Sequence, residues 1–214
     1  MKAKRTRKGF TLMELIIVLA IMGILMAIIV PSWGYFIRRA RERDANSRAK
    51  IVFHAAQTAV TRVCDNERSI LNKYKDSTTD TDLKDKLEKQ LYMGEGDFYF
   101  YWNGKKGVKI DASTGVAKDE TANSQSNALM SKTINNIAGG EGFYKIYVKN
   151  YNVQSVVYTS YENGNYKGTY PKAMNELSSD LLETIRTTSI NSIGSSVMSK
   201  LTINGTTPEP TTTT

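Results

Sequence analysis

The sequence predicts an α+β protein in which one long N-terminal α-helix, apolar in its first half and amphipathic in its second, packs against a small antiparallel β-sheet. Three observations support this fold class. Residues 10–31 form a stretch of 22 mostly apolar positions in which Glu14 is the one formal charge. Small and apolar residues then recur at helical spacing up to position 63. After residue 97, short aromatic or β-branched segments alternate with turn residues, as strands do.

The apolar stretch is long enough to cross a membrane, because about 20 helical residues span the ~30 Å hydrocarbon core of a bilayer. A basic segment precedes it, as in exported proteins. Its cations are Lys2, Lys4, Arg5, Arg7 and Lys8. Trp33, Tyr35 and Phe36 follow the stretch, where a membrane interface favours aromatic side chains. We therefore expect residues 10–36 to be a transmembrane helix.

No small-residue cleavage site of the secretory kind follows the apolar stretch, but a distinctive junction precedes it. Positions 8–14 read K-G-F-T-L-M-E. This pattern, in register with the basic segment and with Pro31, resembles the leader-peptidase site of type IV pilins and pseudopilins. The resemblance covers residues 5–36. It implies that residues 1–9 are a leader that prepilin peptidase removes between Gly9 and Phe10, that Phe10 is then N-methylated, and that the fold is a pilin fold.

Glu14 needs a compensating partner, since a carboxylate in an apolar membrane helix costs ~2.5–3.5 kcal/mol at the centre and less near an end. Cleavage after Gly9 would create a free α-amine on Phe10, four residues earlier. The resemblance implies that Glu14 pairs with the Phe10 amine of an adjacent subunit and so sets the axial step of a helical filament. The alternative is that Glu14 extends to the interface at the cytosolic end of the helix.

Pro31 lies inside the predicted helix, where it removes a backbone donor and crowds the carbonyl four residues before it, so we expect a bend there. In the resembled family, the stretch from a glycine to this proline can lose helical order during filament assembly. Gly23 and Pro31 occupy the matching positions. Gly23 is equally well explained as a small residue that allows close helix packing.

The amphipathic half of the helix is predicted at residues 37–64, ending near Cys64. Its apolar face is formed by residues three or four apart, which lie on one side of a helix. These are Ala45, Ala49, Val52, Ala56, Ala59 and Val63, widened by Phe53 and Val60. We expect the sheet to cover this face, and residues 65–80 to be a polar connection with at most a short helix.

The globular head is predicted at residues 65–205. A short helix at residues 80–93 precedes a hairpin of strands 98–102 and 108–110 around Asn103 and Gly104. A helix at 124–137 ends before Gly139, and strands 143–149 and 153–159 meet near Asn150, which makes about four strands. A helix at 177–185, extended past Gly194 by further apolar residues, and a mobile Thr/Pro-rich tail at 206–214 complete the chain.

The net charge of +8 comes mainly from two segments. Five positive charges lie in the first nine residues and a net four in residues 38–50, which leaves −1 for the rest. Arg38, Arg39, Arg41 and Arg43 are best explained as a solvated surface next to the membrane, and binding of DNA phosphates is a weakly supported alternative. Cationic residues flank the span on both sides, so the resemblance alone implies a cytosolic leader.

Cys64 is the one cysteine, which excludes an intrachain disulfide and favours a Gram-positive or otherwise disulfide-poor pilin. Its expected environment is half-buried beside the apolar helix face. No nucleophile with a base, no Cys/His metal spacing and no phosphate-binding loop is present, so we expect no enzyme activity, no cofactor and no metal. Calcium at Asp111, Asp119 and Glu120 is a weak alternative, because the spacing does not match a calcium loop.

The sequence therefore predicts a structural subunit of a type IV pilus that polymerises with itself through its N-terminal helix. Its implied partners are prepilin peptidase, a pilus assembly ATPase, a membrane platform and, before assembly, the membrane. The precursor is expected to be a single-pass membrane protein with its head outside, which then enters an extracellular filament. The alternatives are a pseudopilin of a secretion or DNA-uptake machine, a tip adhesin, and an anchored binding module that never polymerises.

Overall fold

The structure, a computed structural model, describes residues 10–74, 97–115, 117 and 124–203. Its first element is a helix of 63 residues, α1, Leu12–Tyr74. The chain divides into two compact units at a boundary between Ala40 and Arg41, and α1 contributes to both.

In the first unit, the apolar half of α1 has no side-chain packing around it. Its large apolar side chains are 47–87% exposed from Phe10 to Phe36. The backbone remains α-helical through position 31, so the helix is not broken there, and the bend at Pro31 stays a prediction. This half is thus formed by local hydrogen bonding and by residues that tolerate a helix.

The prediction that α1 ends near Cys64 is wrong, because the helix continues for ten more residues to Tyr74. The segment after Cys64 contains Glu, Arg, Leu and Lys, which favour helices, and it extends a helix whose nucleation has already occurred. Glu67, in this added part, is 4% exposed, so the head still covers one side of α1 there. The remainder of the predicted connection, residues 75–80, and the predicted helix at 80–93 lie outside the described residues.

The second unit contains a five-stranded sheet in the order β2-β1-β3-β4-β5, with every neighbouring pair antiparallel. Its strands are β1 Phe98–Trp102, β2 Gly107–Asp111, β3 Phe143–Lys149, β4 Asn152–Thr159 and β5 Lys167–Tyr170. The two predicted hairpins and the helix between them, α2 Ser124–Ala138, are confirmed. Asn150 and Tyr151 have φ angles of 49° and 61°, as expected at a two-residue type I′ turn.

The estimate of about four strands is short by one. β5 has four residues, including a glycine and a lysine, so it carries no apolar alternation that would identify a strand. Its position depends on contacts with α1, which are described below.

One face of the sheet packs on the amphipathic half of α1 and on α2, as the periodicity predicts. All of the predicted apolar positions of α1 are buried except Phe53, which is half-buried, and Ala55 joins them. The facing residues come from alternate positions of the strands and from α2. They include Phe98, Phe100, Trp102, Met130, Ile134, Ile146, Val148, Val156 and Tyr158. Cys64 is half-buried at this face, as expected.

The other face of the sheet is covered by the C-terminal segment, which the sequence did not place. This segment contains α3 Ser179–Thr187, α4 Ser195–Met198 and single 3₁₀ turns at Met174–Glu176, Ile190–Ser192 and Ser199–Leu201. The predicted helix at 177–185 is confirmed as α3, but it does not extend past Gly194, because the chain breaks into short turns after Thr187. Since both faces are covered, all five residues of β1 are buried.

Candidate processing and assembly segment

The N-terminus of α1 is closed by a reciprocal pair of side chains, Thr11 and Glu14. The Thr11 hydroxyl oxygen accepts the Glu14 backbone N–H at 3.3 Å. The Glu14 carboxylate oxygen Oε2 accepts the Thr11 backbone N–H at 2.8 Å and the Thr11 hydroxyl at 2.8 Å. This arrangement is a capping box, with Thr11 as the N-cap and Glu14 as the third helical residue.

The capping box explains how a carboxylate is held at the beginning of an apolar helix. Glu14 satisfies donors that have no intrahelical acceptor, and its charge lies near the positive end of the helix dipole. Both Thr11 bonds end on the same oxygen, and no described residue donates to Oε1. Among the described residues, the carboxylate therefore has one oxygen without a donor, on an exposed side chain that a donor from another molecule can reach.

Thr11 is the residue of this segment to which the sequence reasoning assigned no role. The signal was present, because Thr11-Leu12-Met13-Glu14 has the T-x-x-E spacing of a capping box just before an apolar run. The same four residues belong to the junction that resembles a prepilin site.

The other predicted assembly residues do not cluster in the single chain. Phe10 is 87% exposed. A Cβ added to Gly23 would meet no atom of the described residues within 4 Å, so none of them requires a glycine there. Pro31 lies two helical turns beyond Gly23 in continuous helix, and Gly9 lies outside the described residues. The described part of the chain therefore offers no packing partner to Phe10 or Gly23.

From Leu12 to Val30 the helix presents a continuous apolar surface, which we call the apolar cylinder. Leu12–Val30 has a mean hydropathy of 2.9, no part of it is buried, and it is the one helical segment long and apolar enough to span a membrane among the residues that the structure describes. Exposed apolar surface of this extent indicates contact with a membrane or with other protein chains. It fits a membrane-anchored precursor.

The basic cluster that follows is mostly exposed. Arg38, Arg39 and Arg43 are at the surface of α1, and the Arg39 guanidinium donates to the Tyr35 hydroxyl at 3.5 Å. The Arg41 guanidinium lies 5.2 Å from the centre of the Tyr166 ring. These placements agree with a solvated helix surface, and the alternative of DNA binding stays a weak prediction.

Acidic residues do not assemble into a metal site in the described part of the chain, where no three His, Cys, Asp or Glu side chains come close enough to hold an ion. Asp111 Oδ1 instead accepts the backbone N–H groups of Ser113 at 2.8 Å and Thr114 at 3.1 Å, which closes a turn. Asp119 and Glu120, the other members of the calcium alternative, lie outside the described residues.

Comparison with known proteins identifies the same N-terminal segment. Residues 4–30 match the family described as the prokaryotic N-terminal methylation motif. The chain is 41% identical over 51 residues to the type IV major pilin protein PilA of Myxococcus xanthus, a match that covers 24% of this chain and 23% of that protein.

Two fimbrial proteins show similar matches. A fimbrial protein of Pseudomonas aeruginosa is 41% identical over 56 residues, or 26% of this chain and 36% of the relative. Fimbrial protein EcpC of Eikenella corrodens is 48% identical over 42 residues, or 20% of this chain and 28% of the relative. The chain thus matches about a quarter to a third of the length of these relatives, and no solved structure matches it.

Proposed function

We infer that the chain belongs to the type IV pilin family, and we propose that it is a structural subunit that polymerises through its N-terminal helix into an extracellular filament. The observation that carries this proposal is the uncovered apolar half of α1, which begins at a carboxylate and coincides with the methylation motif. A helix that is exposed and apolar on all sides needs either lipid or neighbouring helices around it. A pilus subunit meets both environments in turn.

Processing is the first step of the proposed function. Prepilin peptidase removes residues 1–9 between Gly9 and Phe10, and Phe10 is N-methylated. The leader lies in the cytosol, residues 10–36 span the membrane, and the head lies outside. Cleavage leaves Phe10 one residue before the N-cap Thr11, so the new α-amine lies next to the capping box.

Assembly is the second step. The Phe10 amine of one subunit pairs with the Glu14 carboxylate of its neighbour, and the oxygen Oε1, to which no described residue donates, is the acceptor it would use. The capping box orients Glu14 for this contact without consuming both oxygens. Gly23 supplies close approach between helices, and Pro31 supplies a bend. A pilus assembly ATPase and a membrane platform drive extraction of the subunit from the membrane.

In the assembled filament, the helices of residues 10–36 are bundled in the centre. The remainder of α1 joins this bundle to the head, and the Thr/Pro-rich tail predicted at residues 206–214 lies outside the described residues. The subunit has a structural role and no catalytic one, in agreement with the kinds of protein it resembles.

Electron microscopy of the native cell with the gene deleted and overexpressed tests the filament role. We expect surface fibres to be lost on deletion and to increase on overexpression. Mass spectrometry of the sheared fibres is expected to give a subunit that begins at N-methylated Phe10. Unchanged fibres in both strains, or assembled subunits that retain the leader, would contradict the proposal.

The pairing of Glu14 is tested by comparing Glu14→Ala with Thr11→Val. Both substitutions break the capping box, which costs about 0.5–2 kcal/mol of helix stability, but only Glu14→Ala removes the carboxylate. We expect both variants to be cleaved by the peptidase. Thr11→Val should retain most of the sheared-filament yield. Glu14→Ala should lower that yield at least about tenfold, because a tenfold change requires the loss of only ~1.4 kcal/mol at each contact between subunits.

Equal losses in the two variants would show that capping, and not subunit pairing, is the role of Glu14. Normal filament yield from Glu14→Ala would also refute the pairing. Failure of cleavage in either variant would show that the defect lies in processing.

A further inference from the structure

Two asparagine–glycine pairs lie in turns of the head. Asn103 and Gly104 belong to the turn between β1 and β2, and Asn163 and Gly164 belong to the connection between β4 and β5. In such a pair the backbone can attack the asparagine side chain with little obstruction, because the glycine that supplies the attacking nitrogen has no side chain. A third pair, at positions 204 and 205, lies outside the described residues.

The chemistry of an asparagine–glycine pair is a ring closure followed by hydrolysis. The glycine backbone nitrogen, after a base removes its proton, attacks the side-chain carbonyl carbon of the asparagine. The bond from that carbon to the side-chain nitrogen breaks, the departing nitrogen takes up a proton and leaves as ammonia, and a five-membered succinimide remains. Water then opens the ring at one of its two carbonyl groups. The product is aspartate or isoaspartate, so a neutral amide becomes a carboxylate in either case.

In the β1–β2 turn, the side-chain carbonyl of Asn103 is polarised by two donors. Its Oδ1 accepts the backbone N–H groups of Lys105 at 3.0 Å and of Lys106 at 2.8 Å. Attack on the carbonyl carbon moves negative charge onto this same oxygen, so the two donors stabilise the developing anion as an oxyanion hole does. The side-chain NH₂ group, which must leave, has no acceptor among the described residues.

The attacking nitrogen of this pair is also accessible. Gly104 is exposed, and no described residue accepts its backbone N–H. A Cβ placed on Gly104 would come no closer than 3.5 Å to the Phe143 ring, which is an ordinary contact distance. The backbone at Gly104 therefore has room to rotate toward the Asn103 side chain, and a base in solution can reach its N–H.

The pair in the β4–β5 connection has the opposite environment. The Gly164 N–H donates to the Tyr161 carbonyl at 2.9 Å, and the Gly164 carbonyl accepts the Lys167 Nζ at 2.8 Å. A Cβ on this glycine would lie 2.6 Å from the Thr159 hydroxyl oxygen. No described residue donates to the Asn163 side-chain oxygen. The nitrogen that would attack is thus hydrogen-bonded and closely packed, and the carbonyl that it would attack is not polarised.

We propose that Asn103 is a site of spontaneous modification, at which the folded head converts its own side-chain amide to a carboxylate while Asn163 is protected. In the aspartate product, the two backbone N–H groups bind a charged oxygen more strongly than the neutral one it replaces. The new negative charge lies at the exposed end of the hairpin, beside Lys105 and Lys106. The surface charge of the head therefore changes with the age of the protein, whether or not the chain builds a filament.

Peptide mass spectrometry of the detergent-solubilised full chain tests this proposal. The chain is incubated at mildly alkaline pH in isotope-labelled water, so that each hydrolysed succinimide incorporates one labelled oxygen. We expect conversion at Asn103 to be at least about tenfold faster than at Asn163, which corresponds to ~1.4 kcal/mol of activation free energy. In urea the folded environment is lost, and the two rates should then agree within about threefold, because both asparagines precede glycine.

Variants assign the reaction to one residue. Asn103→Gln should abolish conversion in this turn on the same timescale, because a glutamine side chain would have to close a six-membered ring. The matched variant Asn163→Gln should leave the rate at Asn103 unchanged. Freshly prepared Asn103→Asp should elute on ion exchange with the acidic form that the natural chain acquires during incubation. Matching far-ultraviolet circular dichroism checks that the variants are folded.

Four results would overturn the proposal. Equal rates at Asn103 and Asn163 in the folded chain would show that the fold does not select between them. Absence of conversion at Asn103 in the folded chain, over a period in which the chain in urea is converted, would show that the turn protects it. A tenfold difference that persists in urea would have its origin in the neighbouring sequence. An acidic form that still accumulates in Asn103→Gln would place the reaction at another residue.

Discussion

Lys145 places a cation inside the head. Its side chain is 4% exposed, its Nζ donates to the Asn191 carbonyl at 2.7 Å, and it lies 5.2 Å from the centre of the Tyr99 ring. No carboxylate among the described residues forms an ion pair with it. Burial away from water disfavours the ammonium form and lowers the pKa of Lys145 to about 8.

The lowered pKa of Lys145 determines how its contribution to the stability of the fold depends on pH. The unfolded chain holds the Lys145 proton up to its ordinary pKa of 10.5, whereas the folded chain releases it near pH 8. Below pH 8 both states are protonated, and the penalty for burying the charge is complete. Between pH 8 and 10.5 the unfolded state binds more protons, so the contribution of this residue to stability rises with pH.

The variant Lys145→Met should remove this contribution. We expect the free energy of unfolding of the natural chain, relative to that of the variant, to increase by about 1–3 kcal/mol between pH 7 and pH 10. Urea unfolding followed by near-ultraviolet circular dichroism measures it. The matched variant Lys200→Met, at an exposed lysine, should show no such trend, and a flat difference for Lys145→Met would contradict the assigned pKa.

Glu14 illustrates how one residue serves two requirements. Its Oε2 caps α1 within the chain, and its Oε1 is left for the contact proposed between subunits. A capping box is worth about 1 kcal/mol to a helix end, which is small beside the cost of an unpaired carboxylate in lipid. The capping box therefore explains where the helix begins. It does not offset the cost of the carboxylate in lipid, so Glu14 still needs a partner of opposite charge.

At the scale of elements, hydrogen bonds to side chains of α1 join β5 and the β3–β4 hairpin to the helix. Asn46 Oδ1 accepts the Thr169 backbone N–H at 3.0 Å, beside the closest approach of β5 to the helix. Further along α1, Gln57 Oε1 accepts the Val153 backbone N–H at 2.9 Å. The helix thus satisfies backbone donors of two strands as well as covering their side chains.

Gly168 is the point at which the β5 backbone touches α1. A Cβ there would lie 2.0 Å from the backbone carbonyl carbon of Ala45, a distance that no side chain can occupy. Gly168→Ala must therefore push β5 off the helix, and we expect it to lower the free energy of unfolding by at least about 1–3 kcal/mol. Urea unfolding measures the loss.

Gly194→Ala is the matched control, because nothing lies within 4 Å of a Cβ at that position and its φ of −95° suits any residue. It should change the free energy of unfolding by less than about 0.5 kcal/mol. If Gly168→Ala were equally mild, the close packing of β5 on α1 would be refuted.

At the scale of the whole molecule, the second unit possesses its own core, and the exposed apolar cylinder belongs to the first. The amphipathic half of α1 contributes eight buried residues, from Ala45 to Val63, to the part of that core that lies between the helix and the sheet. The boundary of a stable head therefore lies before this half and not after it.

Two fragments test that boundary. We expect residues 41–214 to be soluble without detergent, monomeric and cooperatively unfolding, because they contain the complete core and lack the apolar cylinder. Residues 65–214 should aggregate, because the sheet face that covers α1 would be open to water. Size-exclusion chromatography and thermal unfolding of both fragments measure this. A well-folded 65–214 fragment would show that α1 is dispensable to the head.

Sequence by itself was sufficient for the features that depend on neighbours along the chain. The apolar run with Glu14, the stripe from Ala45 to Val63 and the two hairpins are all local patterns, and each is present in the structure. The capping box of Thr11 and Glu14 is equally local, and its spacing could have been recognised. The processing residues were identified by resemblance in the same way, and their roles stay predictions.

Tertiary structure decided the features that depend on residues far apart in sequence. β5 is a strand because Gly168 and Thr169 meet α1 more than 120 positions away, and the C-terminal segment is broken into turns because it follows the second face of the sheet. Local preference determines which residues form a helix or a strand, but only packing determines which surfaces they share.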